Sequence, residues 1–281
     1  MGKCDNIAFP MLTIAVPKSM ETTLDHLGRA GRPVVFEEGR DVGFTSTGDE
    51  VVQVRSYDIP LLVGVTAHVG MCGSDVVEER KYQFLKRPEI LSEFGYGRTY
   101  YEKPPTLDLV ARQSEYVPRI EEIPSGSIIL TELPNLTREK FEQAGRKVEG
   151  FLEGGPEDLK EFIEGCKRSE SVGVVVVHGK IPGMLEHLNG YQVYGVMVNE
   201  TGRTLRANRL RVVKRLQTIR TLLIADKDKL QDEITSSEID SLVMDMNEAE
   251  RIRINREFEA SGKVSAEGSL GGGPLSGERV L

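Results

Sequence analysis

Two rhythms of apolar and polar positions alternate along most of this chain. Continuous runs rich in Val, Ile and Leu read as strands: "MLTIAV" (11–16), "VVQVR" (51–55), "LDLVAR" (107–112), "GSIILTE" (126–132), "VGVVVVHG" (172–179), "YQVYGVMV" (191–198) and "TIRTLLIA" (218–225). After "VVQVR" come two further apolar runs, "IPLLVGV" and "AHVGMCG". Between the runs, apolar residues recur at helical spacing. Met20, Leu24 and Leu27 share one face of "METTLDHLGRAG", "SDVVEER" begins with capping residues, and "LPNLTREKFEQAG" (133–145) has the same character. Strands that are apolar on both faces and alternate with helices belong to largely parallel sheets covered on both sides. The expected fold class is therefore α/β, and about ten strand candidates imply two α/β domains rather than one. The Gly- and Pro-rich "GYGRTYYEKPPT" (95–106) is the best connector between them.

The pattern changes towards the end. "RLRVVKRL" (209–216) has helical spacing and predicts a basic helix after the strand of 191–198. Beyond Ile224 the chain is highly charged, with Ile239, Leu242, Val243 and Met246 at i, i+3, i+4 and i+7. That stripe needs a covering surface, either the protein's own body or another subunit. "GSLGGGPLSGERV" near the end reads as a flexible tail.

Composition narrows the function classes. Hydrophobic residues make up 39% of the 281, enough for a real core. No stretch approaches the ~20 consecutive apolar residues of a membrane helix, and the first twenty residues make a poor signal peptide. A cytoplasmic protein with no membrane partner is expected. The formal charge of −8 argues against a general nucleic-acid binder. Arg203, Arg206, Arg209, Arg211, Lys214, Arg215 and Arg220 nevertheless crowd together, either to steer a small polyanion or as a solvated helix face. Cys4, Cys72 and Cys166 form no CxxC pair, and the four histidines have no metal spacing, so neither a disulfide framework nor a zinc site is indicated.

The chemistry candidates lie where strands end. The chain has no Walker sequence, no dinucleotide glycine fingerprint after a strand and no G-x-S-x-G elbow. In "NETGRTLRAN" (199–208) a strand delivers Thr201, Gly202 and Thr204 to a helix start, where free N–H groups and hydroxyls suit an anion. The plainer reading of the same residues is an N-cap. "CGSD" (72–75) puts Cys72 at a strand-to-helix turn that could lower its pKa; the alternative is a small buried residue with a Ser74 or Asp75 cap. Lys18 closes "IAVPK" and Arg55 closes "VVQVR". Ligand crevices of open α/β sheets lie outside the carboxyl ends of the strands, which makes these four turns the site candidates.

Taken in order, several segments resemble the ATP phosphoribosyltransferase family of histidine biosynthesis. They are "LTIAVPK" (12–18), "RSYDIPLLV" (55–63), "CGSDVVEE" (72–79), "GYGR" (95–98), "LDLVA" (107–111), "TELPNLTREKF" (131–141), "ETGRTLRANRLRVV" (200–213) and "TLLIADKDKL". The resemblance implies two α/β domains with mainly parallel sheets facing a central cleft. It implies that Glu200, Thr201, Gly202, Arg203 and Thr204 hold the 5-phosphate of phosphoribosyl pyrophosphate (PRPP). Further substrate contacts would come from Lys18, Arg55, Ser74 and Asp75, with Lys18 and Arg55 as electrostatic participants. The implied reaction is attack of ATP N1, or of a different acceptor, on the ribose C1 of PRPP, with pyrophosphate leaving alongside Mg²⁺. The protein itself supplies no metal site in this reading, and its acid/base residues are not identified.

The chain also departs from the family pattern. Ser19, Met20 and Glu21 stand where the family has Gly-Arg-Leu after the lysine, and Val193 and Met197 replace its two acids before the phosphate loop. Segment 146–182 contains an apparent insertion, "GGPEDLKEFIEGCKRSE", and Glu186 falls two residues from the position of a family glutamate. A second function fits these departures: a member that binds a phosphorylated ligand without turnover. The division expected is residues 1–105 for the first part of domain I, 106–190 for domain II, 191–230 for a return to domain I carrying the phosphate loop, 231–260 for a helical extension and 261–281 for the tail. About 55 residues after Ile224 are too few for the regulatory domain of long-form enzymes. A homo-oligomer is expected, with a histidyl-tRNA-synthetase-like regulatory subunit as a further partner.

Overall fold

The computed structural model describes residues 12–18, 21–83, 87–95, 104–116, 119–152, 156–188 and 190–260, and its strands follow the apolar runs. A first set comprises β1 (Thr13–Pro17), α1 (Glu21–Arg29), β2 (Val34–Phe36), β3 (Val42–Thr45), β4 (Glu50–Val54), α2 (Ile59–Leu62), β5 (Val69–Gly73), α3 (Ser74–Arg80) and β6 (Glu89–Phe94). A second set follows: β7 (Thr106–Arg112), β8 (Ile128–Thr131), α4 (Pro134–Gln143), β9 (Val148–Leu152), α5 (Pro156–Arg168), β10 (Val172–Val176), α6 (Ile181–His187), β11 (Val193–Asn199), α7 (Arg203–Ala207) and β12 (Leu210–Thr218). The chain then adds β13 (Thr221–Ala225) and the long α8 (Glu233–Ala260). The apolar "IPLL" is a short helix rather than a strand.

Two sheets result, a seven-stranded one of order β2-β3-β4-β1-β5-β13-β6 and a six-stranded one of order β12-β7-β11-β8-β10-β9. β1 runs parallel to both β4 and β5, and β8 runs parallel to both β10 and β11. The carboxyl ends of each trio thus share one edge. Only β13 returns to the first sheet, where it lies antiparallel between β5 and β6. This corrects the return expected over 191–230. β11 is held in the second sheet by parallel pairing to β8 (Val193 with Ile128) and antiparallel pairing to β7 (Met197 with Asp108). The crossings between sheets lie side by side, with Ile219 N–H donating to Pro105 O at 2.9 Å. Of the connector, residues 96–103 lie outside the described residues.

The predicted basic helix is also corrected. α7 has only five residues, Arg209 turns the chain at a φ of 48°, and "LRVVKRLQT" pairs antiparallel with β7 as an edge strand. Paired valines suit a strand, while Lys and Arg on an edge bearing two register shifts discourage further strand addition.

The stripe of α8 is covered by the protein's own body. Ile239, Leu242 and Met246 are buried with Leu12, Ile14, Leu27 and Val69. Buried Arg32 fixes the helix further, reaching Asp49 at 2.8 Å and both Asp245 (2.9 Å) and Ser241 (3.1 Å) of α8. His26, also buried, donates from Nε2 to Gly95 O (3.2 Å) and has Glu250 of α8 3.8 Å from Nδ1. The tail 261–281 lies outside the described residues.

One buried carboxylate joins the two sets of elements. Glu79, at the end of α3, is fully buried. It accepts from the backbone N–H of Leu136 (2.7 Å) and Asn135 (3.1 Å), from Asn135 Nδ2 (2.9 Å) and from Tyr57 OH (3.3 Å). These backbone donors belong to the first turn of α4, whose own N-cap, Leu133, has no side chain able to cap it. Ion pairs Lys81–Glu139 and Lys140–Glu78 flank the junction.

Two measurements follow from this packing. Glu79→Ala leaves α4 uncapped and opens the junction, so urea unfolding followed by circular dichroism is expected to show a loss of about 3 kcal/mol; a loss within error would mean that the junction carries no stability. Burial lowers the pKa values of His26 and His68 in the folded state. Below about pH 6.5 the unfolded chain takes up protons that the native state resists. The histidine contribution to stability therefore falls as pH drops from 7.5 to 5.5, and the difference in stability between the parent and His26→Gln is expected to change over that range.

Candidate functional site

β11 ends at Asn199 and releases the chain into the turn that sequence spacing singles out. Gly202 has a φ of +71°, the left-handed conformation that favours glycine. Its N–H donates to Asn199 Oδ1 at 2.9 Å, and Asn199 Nδ2 donates to Asp108 Oδ2 at 2.7 Å. Asp108, on β7, lies opposite Met197 and is only 1% exposed. As an acceptor it fixes which end of the Asn199 amide faces the loop, so that the oxygen meets the Gly202 N–H. Thr201 Oγ1 accepts from Arg203 N–H (3.3 Å), and Arg206 donates to Thr201 O (3.4 Å). A Cβ on Gly202 would stand 3.1 Å from Arg206 Nη1, so a larger side chain there meets both backbone strain and the guanidinium.

Residues 197–205 line a cavity of about 270 Å³ that holds all five predicted phosphate-binding positions, Glu200 to Thr204. A second cavity of about 290 Å³ shares Met197, Val198 and Thr204 with it. Its other walls are Glu132 and Leu133, beyond β8, together with Val196 and the segment Gly179–Pro182 leading into α6. Both cavities therefore lie at the carboxyl ends of parallel strands, where α/β folds bind ligands.

The four remaining candidates gather on the other sheet, after its parallel trio β4-β1-β5, and line neither of these cavities. Lys18 is exposed and ion-paired to Asp41 at 2.7 Å. Arg55 is exposed at the start of a 3-10 turn. Ser74 and Asp75 open α3; Ser74 Oγ accepts from Arg220 N–H (3.2 Å), and Asp75 is buried with Oδ1 unbonded. Gly73, rather than Ser74 or Asp75, is the N-cap. Cys72 is fully buried, and burial pushes its thiol up, which removes the activated-cysteine reading.

Val193 is buried in the core of the second sheet, and Met197 is a half-buried wall of both cavities. The apparent insertion includes α5 and lies between β9 and β10 on one side of that sheet. Glu186 is exposed on α6. Ser19 and Met20 lie outside the described residues, as does the side chain of Glu21. The basic cluster divides: Arg203, Arg206 and Arg209 are exposed around α7, Lys214 and Arg215 on β12, while Arg211 bonds Glu115 O and Arg220 faces Glu93. Among the described residues no group of three His, Cys, Asp or Glu could hold a metal ion, and no helix is long and apolar enough to cross a membrane. Sequence reasoning missed Glu132, Asp108 and Asn199. Each lies in a segment that the sequence singles out, Asn199 at the head of "NETGRTLRAN", Asp108 within "LDLVAR" and Glu132 at the end of "GSIILTE", but no spacing along the chain marks the residue itself.

Comparisons with known proteins agree with this architecture. The family model described as ATP phosphoribosyltransferase matches residues 55–248. An ATP phosphoribosyltransferase of Methanocaldococcus jannaschii is 30% identical over 242 residues, which are 83% of this chain and 71% of that protein. One of Thermococcus gammatolerans is 27% identical over 239 residues, 84% of this chain and 97% of its own length. Among solved structures, the ATP phosphoribosyl transferase (HisG:HisZ) complex from Thermotoga maritima shares the fold with a TM-score of 0.60 at 19% identity, covering 85% of this chain and 98% of that one. On the extent of the family match and the identity to its archaeal relatives, this chain belongs to the ATP phosphoribosyltransferase family.

Proposed function

We propose that the protein transfers the phosphoribosyl group of PRPP to N1 of ATP with release of pyrophosphate. The observation that carries this reading is the left-handed Gly202 turn, which places Thr201, Gly202 and Thr204 around one cavity at the end of a parallel strand. Backbone N–H groups and hydroxyls there suit the 5-phosphate, and the exposed Arg203 adds positive charge to an otherwise acidic protein. Val193 has no side-chain acceptor for the sugar and Met197 only a weakly accepting thioether, so the phosphate turn is the anchor of the donor substrate.

Charge developing on the departing pyrophosphate needs fixed positive groups. Lys18 and Arg55, exposed after neighbouring parallel strands, serve that role as electrostatic participants. Mg²⁺ enters as part of the PRPP substrate, neutralising its pyrophosphate. Ser74 and Asp75 complete the first-sheet side of the site. A regulatory partner belongs to the same reading, since the Thermotoga maritima neighbour is a two-component complex.

Mass spectrometry of the protein with PRPP, ATP and Mg²⁺ is expected to show phosphoribosyl-ATP, with pyrophosphate formed in step. Gly202→Asp puts a negative charge and a strained residue into the turn and is expected to cut the rate more than about 100-fold. Pyrophosphate without a nucleotide product would point to a different acceptor, and no turnover at all would favour a binding protein. A second expectation concerns Asp75, whose carboxyl is pushed up to about 6 by burial. An acid with a raised pKa gives up stability as pH rises through that value, so Asp75→Asn is expected to be the more stable form at pH 7.5 by about 2 kcal/mol, with the gap closing by pH 4. Thermal melts of the two proteins across that range test it.

A further inference from the structure

Resting on the reading of residues 200–204 as the 5-phosphate site, we propose that Glu132 holds the ribose hydroxyls of the donor substrate. A phosphate seated in the turn leaves the attached sugar to occupy the adjoining cavity, because the two share Met197, Val198 and Thr204. A ribose ring brings vicinal hydroxyls that must find acceptors once water is displaced. Leu133, Ile181 and Pro182 offer no side-chain acceptor, Met197 has only a weakly accepting thioether, Lys180 only donates, and the Thr204 hydroxyl is taken by the phosphate in this reading. Glu132 supplies the carboxylate.

Its placement is specific. β8 pairs in parallel with β11 so that Thr131 stands beside Val196, which brings position 132 level with Met197. The backbone N–H of Gly179 donates to Glu132 Oε1 at 2.6 Å, anchoring one oxygen while the side chain remains exposed to the cavity. Asp108 stands on the opposite side of Met197, but it is buried and committed to Asn199. Of the two carboxylates flanking Met197, Glu132 therefore faces the sugar and Asp108 supports the loop. Glu132 is a positioning residue for the donor and takes no part in proton transfer here.

Calorimetric titration of the full chain tests this without relying on turnover. The parent is expected to bind ribose 5-phosphate at least about 10-fold more tightly than inorganic phosphate, and Gly202→Asp is expected to abolish both. Glu132→Ala should bring the two ligands within about twofold while leaving phosphate affinity unchanged, and Glu132→Asp should restore part of the preference. In the transferase assay Glu132→Ala should raise the KM for PRPP and leave that for ATP unaltered. An intact ribose preference in Glu132→Ala overturns the proposal. So does equal binding of both ligands by the parent, although the phosphate site then stands. Loss of phosphate binding in Glu132→Ala would make the residue structural, and a parent that binds neither ligand removes the phosphate site as well.

Discussion

A carboxylate deprived of water must be met by donors, and Glu79 is met by the first turn of a helix belonging to the other sheet. The usual arrangement places a capping side chain in the same segment as the helix it caps. Here Leu133 cannot serve, and the acceptor comes from α3 across the junction. Helix integrity and docking of the two units therefore become one event. The same contact sets the geometry of the cleft, because α4 begins just after Glu132 and α3 begins with Ser74 and Asp75. Candidate residues on the two sheets are referenced to each other through one side chain. Tyr57 shares the arrangement: it donates to Glu79, lies under Arg80 at 3.8 Å, and packs against the core of the second sheet.

The Gly202 turn is supported in a comparable way. Its glycine conformation is local, but the orientation of the Asn199 amide depends on Asp108, which is 91 residues distant in sequence. The chain's acidic surplus sits poorly with a polyanionic substrate until charge is read locally. Arg203 and Arg206 are exposed at the turn, while Glu132 lines only the neighbouring cavity. Arg203 and Glu132 thus line different cavities, a division of charge that the net value cannot convey.

Strands buried on both faces were legible because continuous Val, Ile and Leu leave few alternatives. The β2–β3 hairpin was not, since Val35 and Phe44 face solvent and the strands are three and four residues long. "RLRVVKRL" misled because a short run with two adjacent valines satisfies helical and strand spacing equally; only the partner β7 decides between them. The Gly202 turn was legible as Thr-Gly-x-Thr after an apolar run. Its supporting acid was not, because cross-strand register is a property of the pairing and not of either segment alone.

The place of β13 has a consequence for the order in which the molecule forms. Elements β7 to β12 are contiguous and can pair as soon as they are made. The first sheet cannot close when its own first six strands are complete, because the strand between β5 and β6 comes only after the entire second unit. During synthesis the apolar edge of β5 waits for more than a hundred residues, and α8 must follow before that unit's face is covered. The unit that begins the chain is the one that finishes folding last.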